Sequence, residues 1–156
     1  MIRSLLIGAV AGMRALTPFA MVSDAARRGA LPEGNGAPAL LGNPLVSAGA
    51  MALAAGELLG DKLPSAPDRI IAPGIAARLV TGAVTGAALA PCRRRGAAAA
   101  LGAAGAVGAA YLTFHLRVRA MRRFGQTSTG LVEDAITLGS AWWVVNRMPP
   151  APQQGQ

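Results

Sequence analysis

Residues 56–64 read Gly-Glu-Leu-Leu-Gly-Asp-Lys-Leu-Pro and place three ionisable side chains at the end of a long apolar run. Glu57 and Asp61 are four positions apart, so they share one face of a helix. Pro64 ends that helix, because proline lacks a backbone N–H and restricts the residue before it. Charge in the last turn of a membrane helix is unfavourable unless it faces protein, water or a counter-charge. We therefore expect this turn to form one wall of a site.

The composition indicates a membrane protein. The chain has 156 residues, of which 53% are hydrophobic and 14% are charged, whereas soluble domains have roughly 25% charged residues. Too few polar groups are available to cover a globular surface, so a bilayer is the natural solvent. Aromatic residues make up only 4%, and the abundant Ala and Gly favour thin, closely packed helices. We predict an all-α integral membrane bundle.

The net charge of +8 comes from arginines that flank the apolar runs. A nucleic-acid-binding surface would instead gather them in one stripe with aromatic residues, so this pattern argues against nucleic acid as a partner. Attraction to the anionic headgroups of membrane lipids explains the same charge. The single cysteine, Cys92, excludes an intrachain disulfide.

Hydropathy predicts five membrane segments within one domain, residues 1–147, followed by a disordered Pro/Gln tail at residues 148–156. The segments are 2–22, 44–63, 70–90, 96–116 and 127–146. We expect the first to be a retained membrane helix and not a cleaved signal peptide. Gly12, Arg14 and Pro18 predict that it is kinked or broken, and four spans remain if it is re-entrant.

Small residues recur at four-residue spacing and predict close helix contacts. They lie at Gly8 and Gly12, at Gly56 and Gly60, at Gly82 and Gly86, and along Ala98, Gly102, Ala106 and Ala110. We expect copies of the chain to associate through such faces as a homo-oligomer. The arginines and lysine divide almost equally between the two predicted sides, so an antiparallel homodimer is one form to test.

The predicted hairpin of the second and third segments brings Glu57 within a turn of Arg78, and Glu133 and Asp134 enter from the same side. One interpretation is a polar cavity in which Glu57 and Glu133 offset Arg14 and Arg78. The other is a set of ion pairs that fix helix packing. Nine residues form the candidate polar site: Arg14, Glu57, Asp61, Lys62, Arg78, Ser128, Thr129, Glu133 and Asp134.

The hydroxyls of Ser128 and Thr129 have two interpretations, as ion ligands or as the N-cap of the last helix. No catalytic template is present: the sequence has no nucleophile elbow, no HExxH motif, no phosphate loop and no second histidine. We therefore expect neither an enzyme nor a cofactor or metal site.

Three motifs resemble a bacterial multi-pass membrane family catalogued as domain of unknown function 4126. They are GMRALTP at residues 12–18, ELLGDKLP at residues 57–64, and Ser-Thr-Gly at residues 128–130 followed by Glu133 and Asp134. The resemblance covers residues 2–145. It implies a small multi-pass protein of the bacterial inner membrane and no particular substrate.

Two functions follow from these observations. The first is a small membrane protein that binds or transports a small ion or polar solute between its helices. The second is a structural or accessory membrane protein, whose buried charges are packing pairs and whose basic loops hold anionic lipid.

Overall fold

A computed structural model describes residues 1–60 and 71–147, and its regular secondary structure within these residues is helical, as predicted. The candidates Asp61 and Lys62, Pro64 and the predicted 148–156 tail lie outside the described residues. The helices are α1 (Ile2–Met13), α2 (Leu16–Arg27), α3 (Pro44–Gly60), α4 (Ala72–Ala88), α5 (Arg95–Phe124) and α6 (Gln126–Asn146). Short 3₁₀ turns, Ala39–Gly42 and Cys92–Arg94, precede α3 and α5.

The first predicted segment is broken, but it does not continue as one kinked span. Helix α1 ends at Met13 and α2 starts at Leu16. Ile7 and Val10 of α1 share a buried cluster with Val22 of α2, so α2 runs back along α1. Each helix has 12 residues, or about 18 Å of length. A hairpin of this length is too short for either arm to cross a bilayer core of about 30 Å.

The remaining helices alternate in direction. Arg3, near the start of α1, donates to the carbonyls of Val144 and Val145 at the end of α6. At the other end of α1, Arg14 pairs with Asp134, which lies earlier in α6. Helices α1 and α6 are therefore antiparallel, and the two ends of the described chain lie together.

The small-residue stripe of α5 packs against α1 and α4. The buried residues of α5 are Ala98, Gly102, Ala106 and Ala110, the four positions that the spacing predicts. A Cβ on Gly82 would lie 2.7 Å from the Gly102 carbonyl oxygen, and a Cβ on Gly86 would lie 2.7 Å from that of Ala98. Helices α1 and α4 thus approach the backbone of α5 so closely that only glycine fits at these contacts. Gly56 and Gly60, in contrast, face open space in the described structure.

Helix α5 is longer than predicted. It has 30 residues and continues through the four arginines at positions 117–123 to Phe124, where the sequence predicts a connection. Arginine is a good helix former, and the first helix breaker is Gly125, whose φ of +81° suits glycine. The N-cap prediction for Ser128 and Thr129 is wrong: α6 starts at Gln126 behind Gly125 and has no side-chain cap.

One helix in the described ranges, Cys92–Phe124, is long and apolar enough to cross a membrane. Two others are apolar but shorter, Ile2–Met13 and Pro44–Gly60. The prediction of an all-α chain is confirmed for the described residues, one helix has the length and hydropathy of a membrane span, and the count of five spans stays a prediction.

Candidate functional site

The turn between α1 and α2 leaves backbone groups without partners in their own helices. Arg14 is extended there, with φ −140° and ψ 116°. The last carbonyls of α1 and the first N–H groups of α2 therefore need other partners. Pro18 is tolerated in the first turn of α2, because the N–H groups of that turn have no acceptor within the helix.

Glu57, which lies on α3, closes the start of α2. Its carboxylate oxygens accept hydrogen bonds from the backbone N–H groups of Ala15 at 3.0 Å and Leu16 at 2.9 Å. The N-cap residue itself, Ala15, has no side chain that could do this. A carboxylate also suits the positive end of a helix dipole. Glu57 therefore acts as an N-cap supplied by a neighbouring helix.

Arg78, which lies on α4, closes the end of α1 in the complementary way. Its Nε donates to the Gly12 carbonyl at 3.0 Å, and one terminal nitrogen donates to the Gly74 carbonyl of its own helix at 2.9 Å. A guanidinium suits the negative end of a helix dipole. Only 6% of Arg78 is exposed, so its charge lies within the bundle.

Arg14 itself occupies the break. It is 1% exposed, its guanidinium pairs with the Asp134 carboxylate of α6, and it reaches the backbone carbonyl of Glu57 at 3.4 Å. Side chains of three other helices therefore hold the break: Glu57 of α3, Arg78 of α4 and Asp134 of α6.

A second ion pair joins α5 to α6. Arg117 donates to the Glu133 carboxylate at 2.8 Å, and both side chains are largely buried. Sequence reasoning did not include Arg117 among the site residues, because it belongs to a run of arginines that indicates a solvated connection. A signal was available: Arg117 and Glu133 are equally distant from Gly125, so they face each other in a hairpin that turns there.

These side chains make up what we call the charge cluster. It contains three guanidinium groups and three carboxylates, so its formal charge balances. Its members are Arg14, Glu57, Arg78, Arg117, Glu133 and Asp134.

Ser128 and Thr129 do not join the charge cluster by any hydrogen bond in the described residues. Ser128 is exposed, and the Thr129 hydroxyl donates to the Gly125 carbonyl of its own helix at 2.8 Å. Both line an apolar cavity of about 520 Å³ between α5 and α6, which we call the α5–α6 groove. Within residues 1–60 and 71–147, no group of three His, Cys, Asp or Glu residues is placed to hold a metal ion.

In the part of the chain that the structure describes, charged residues outside the charge cluster are exposed to solvent or contact a helix end. Asp24 accepts hydrogen bonds from Arg27 and Arg28, each at 2.8 Å, on the exposed side of α2. The hydrogen bond from Arg27, assisted by Arg28, lowers the pKa of Asp24 below its ordinary value. Arg3, by contrast, is buried and closes the end of α6 through two carbonyls.

Comparison with known proteins adds no identification: no family model, no curated protein and no solved structure matches this chain. The resemblance to domain of unknown function 4126 therefore stays a prediction.

Proposed function

We propose that the chain is a multi-pass protein of the bacterial inner membrane, with α3 to α6 as four spans and α1–α2 as a re-entrant hairpin. Its distribution of side-chain size supports this. The interior consists largely of Ala and Gly, whereas many large apolar residues, among them Leu45 and Leu59, point outward. In Cys92–Phe124, only 22% of the most apolar 18-residue stretch is buried. Lipid is the solvent that suits such a surface.

We further propose that the protein binds or transports a small ion or polar solute at the charge cluster. The observation that carries this proposal is that both ends of the helix break are closed by side chains from other helices, Glu57 and Arg78. A solute can replace either of these side chains without the unwinding of a helix. Broken helices whose ends face ions are the usual construction of solute sites in transporters.

An anion fits this site best. The start of α2 offers two backbone N–H donors where the Glu57 carboxylate now lies, and helix N-termini bind anions. Arg14 and Arg78 add positive charge beside it. Movement of Glu57 would open the position to a solute anion of carboxylate or phosphate type.

A structural or accessory role is the second candidate, and a separate observation favours it. Every member of the charge cluster already has a protein partner, and the charges balance. Paired in this way, the groups satisfy one another and hold the hairpin against α3, α4 and α6. In this role the basic loops would bind anionic lipid without transport.

The deciding experiment compares wild type with Glu57→Gln and with Glu33→Gln, a control on an exposed glutamate. Thermal stability of the purified protein is measured against chloride, acetate, phosphate and sulfate. A solute that binds the folded state raises the Tm by mass action. Solute binding predicts a rise that Glu57→Gln enlarges, because the carboxylate that competes with the anion for the N–H donors of α2 has lost its charge, and that Glu33→Gln leaves unchanged. A packing role predicts no rise with any anion and a lower Tm in Glu57→Gln.

Association into a homo-oligomer stays part of the proposal. Helix α3 packs mainly on α2 and buries only Ser47, Ala50 and Ala54, so most of its apolar surface is available to a second copy. Reporter fusions at the C-terminus test the antiparallel form of a dimer: a single location in all molecules would exclude it.

A further inference from the structure

The α5–α6 groove has the wrong chemistry for the small polar solute proposed above. Its walls are mainly apolar, with Leu116 and Phe124 on α5 and Val132 and Ile136 on α6. The charged pair at its base, Arg117 and Glu133, is neutralised internally. A cavity of about 520 Å³ with such walls suits an apolar chain. Apolar walls do not replace the water that a small ion would lose on entering.

The groove also has a direction. Its α5 wall extends from Thr113 to Phe124, which is about 16 Å along the helix. The apolar part of α5 lies on the Thr113 side, and the arginines lie on the Phe124 side. One end of the groove therefore reaches the hydrocarbon region, and the other reaches the headgroup region.

The headgroup end is strongly basic. The Arg123 guanidinium lies 5.7 Å from the centroid of the Phe124 ring, which lines the groove. Arg119, Arg122 and Arg123 are exposed, and none of them forms an ion pair with a carboxylate in the parts of the chain described here. Positive charge without a counter-ion among the described residues therefore lies at the mouth of an apolar groove.

We propose that the α5–α6 groove binds one anionic phospholipid, with an acyl chain along its apolar walls and the phosphate at Arg119 and Arg123, which lie one turn after the lining residues Leu116 and Ala120. The basic mouth of the groove matches the anionic headgroup of such a lipid, and the apolar walls match its acyl chain. The proposal rests on the membrane placement and does not depend on solute binding at the charge cluster.

Native mass spectrometry of the full chain in detergent tests this directly, with phosphatidylglycerol and phosphatidylcholine of identical acyl chains as probes. The proposal predicts that the protein retains phosphatidylglycerol in preference to phosphatidylcholine. Replacing two arginines, Arg119→Gln with Arg123→Gln, should weaken phosphatidylglycerol retention about 30-fold. The matched control is Arg93→Gln with Arg94→Gln, two exposed arginines at the α4–α5 turn, which should retain the lipid.

A second pair of variants tests the acyl chain. Ala120→Phe fills the groove from α5, and Val132→Trp fills it from α6, where the side chain is 61% exposed and a larger one is accommodated. Either folded variant should lose the lipid. Equal retention of the two lipids, an equal loss in the Arg93/Arg94 control, or unchanged retention in the filled variants would overturn the proposal. Displacement of the lipid by soluble glycerol 3-phosphate at millimolar concentration would also overturn it, because it would indicate a headgroup site that does not need the groove.

Discussion

Glu57 and Arg78 close the two ends of the same helix break. The Glu57 carboxylate accepts from the N–H groups that start α2, and the Arg78 guanidinium donates to the Gly12 carbonyl at the end of α1. Each side chain carries the charge that its helix end attracts. Neither residue belongs to the hairpin that it closes, so the conformation of α1 and α2 depends on α3 and α4.

We expect Glu57→Gln to lower the free energy of unfolding by about 1–2 kcal/mol, because the amide keeps one acceptor oxygen but loses the charge and the second acceptor. Denaturant unfolding in detergent measures the change. Glu33→Gln, on an exposed glutamate, is the control and should be neutral within about 0.5 kcal/mol. Equal stability of Glu57→Gln and wild type would contradict the capping role.

The buried pair of Arg14 and Asp134 should be strongly coupled. Replacing either partner alone, as in Arg14→Met or Asp134→Asn, should destabilise by about 3–5 kcal/mol, because a buried charge loses its counter-ion. The double variant should lose less than the two single losses combined.

The exposed pair of Arg28 and Asp24 provides the matched control for this cycle, since the Arg28 side chain is 49% exposed. Arg28→Gln should change stability by only about 0–1 kcal/mol. Additive losses at Arg14 and Asp134 would show that the two charges do not depend on each other.

Close backbone contact predicts opposite effects at two glycines of α5. A Cβ on Gly102 would collide with the Gly82 carbonyl and lie 3.1 Å from the Gly86 Cα, so Gly102→Ala should cost about 1–3 kcal/mol. Gly108 has no atom within 4 Å of the added Cβ position. Gly108→Ala should therefore be neutral or stabilise the helix by up to about 1 kcal/mol. Thermal unfolding of both variants side by side measures the difference, and similar behaviour would contradict the packing described.

Arg3 should hold the last turn of α6. Its removal in Arg3→Met leaves the carbonyls of Val144 and Val145 without this donor. Hydrogen exchange of the amides in residues 143–146 should become roughly tenfold faster. Arg147→Gln, at an exposed arginine of the same end, is the control. Unchanged exchange in Arg3→Met would indicate that the end of α6 is held by packing alone.

The sequence predicts local features of this fold better than relations between helices. The buried stripe of α5 follows from the spacing of Ala98, Gly102, Ala106 and Ala110, because small residues at every fourth position allow close approach. The break near Arg14 follows from a glycine, a charge and a proline in succession. Whether the chain then kinks or reverses depends on partners in α3 and α4, which no local pattern contains.

Only the part of the charge cluster that depends on hairpin geometry could be predicted from the sequence. Hairpin geometry brings Glu57 towards Arg78, and it would have brought Arg117 to Glu133 had the turn been placed at Gly125. The four arginines before Gly125 indicate a loop by their charge, yet they continue a helix, because charge is compatible with helix wherever no breaker intervenes. The capping of α2 by Glu57 had no sequence signal, since its partners are backbone groups.

The contact of Arg3 with Val144 and Val145 places the start of α1 and the end of α6 at the same end of the bundle. A chain whose first and last helices meet at one end of the bundle passes between the two ends an even number of times. If the bundle spans a membrane as proposed, labels placed before Arg3 and after Asn146 will therefore report the same compartment in any one molecule. If copies insert in both orientations, labelled molecules will divide into two populations, but no molecule will carry its two labels on opposite sides.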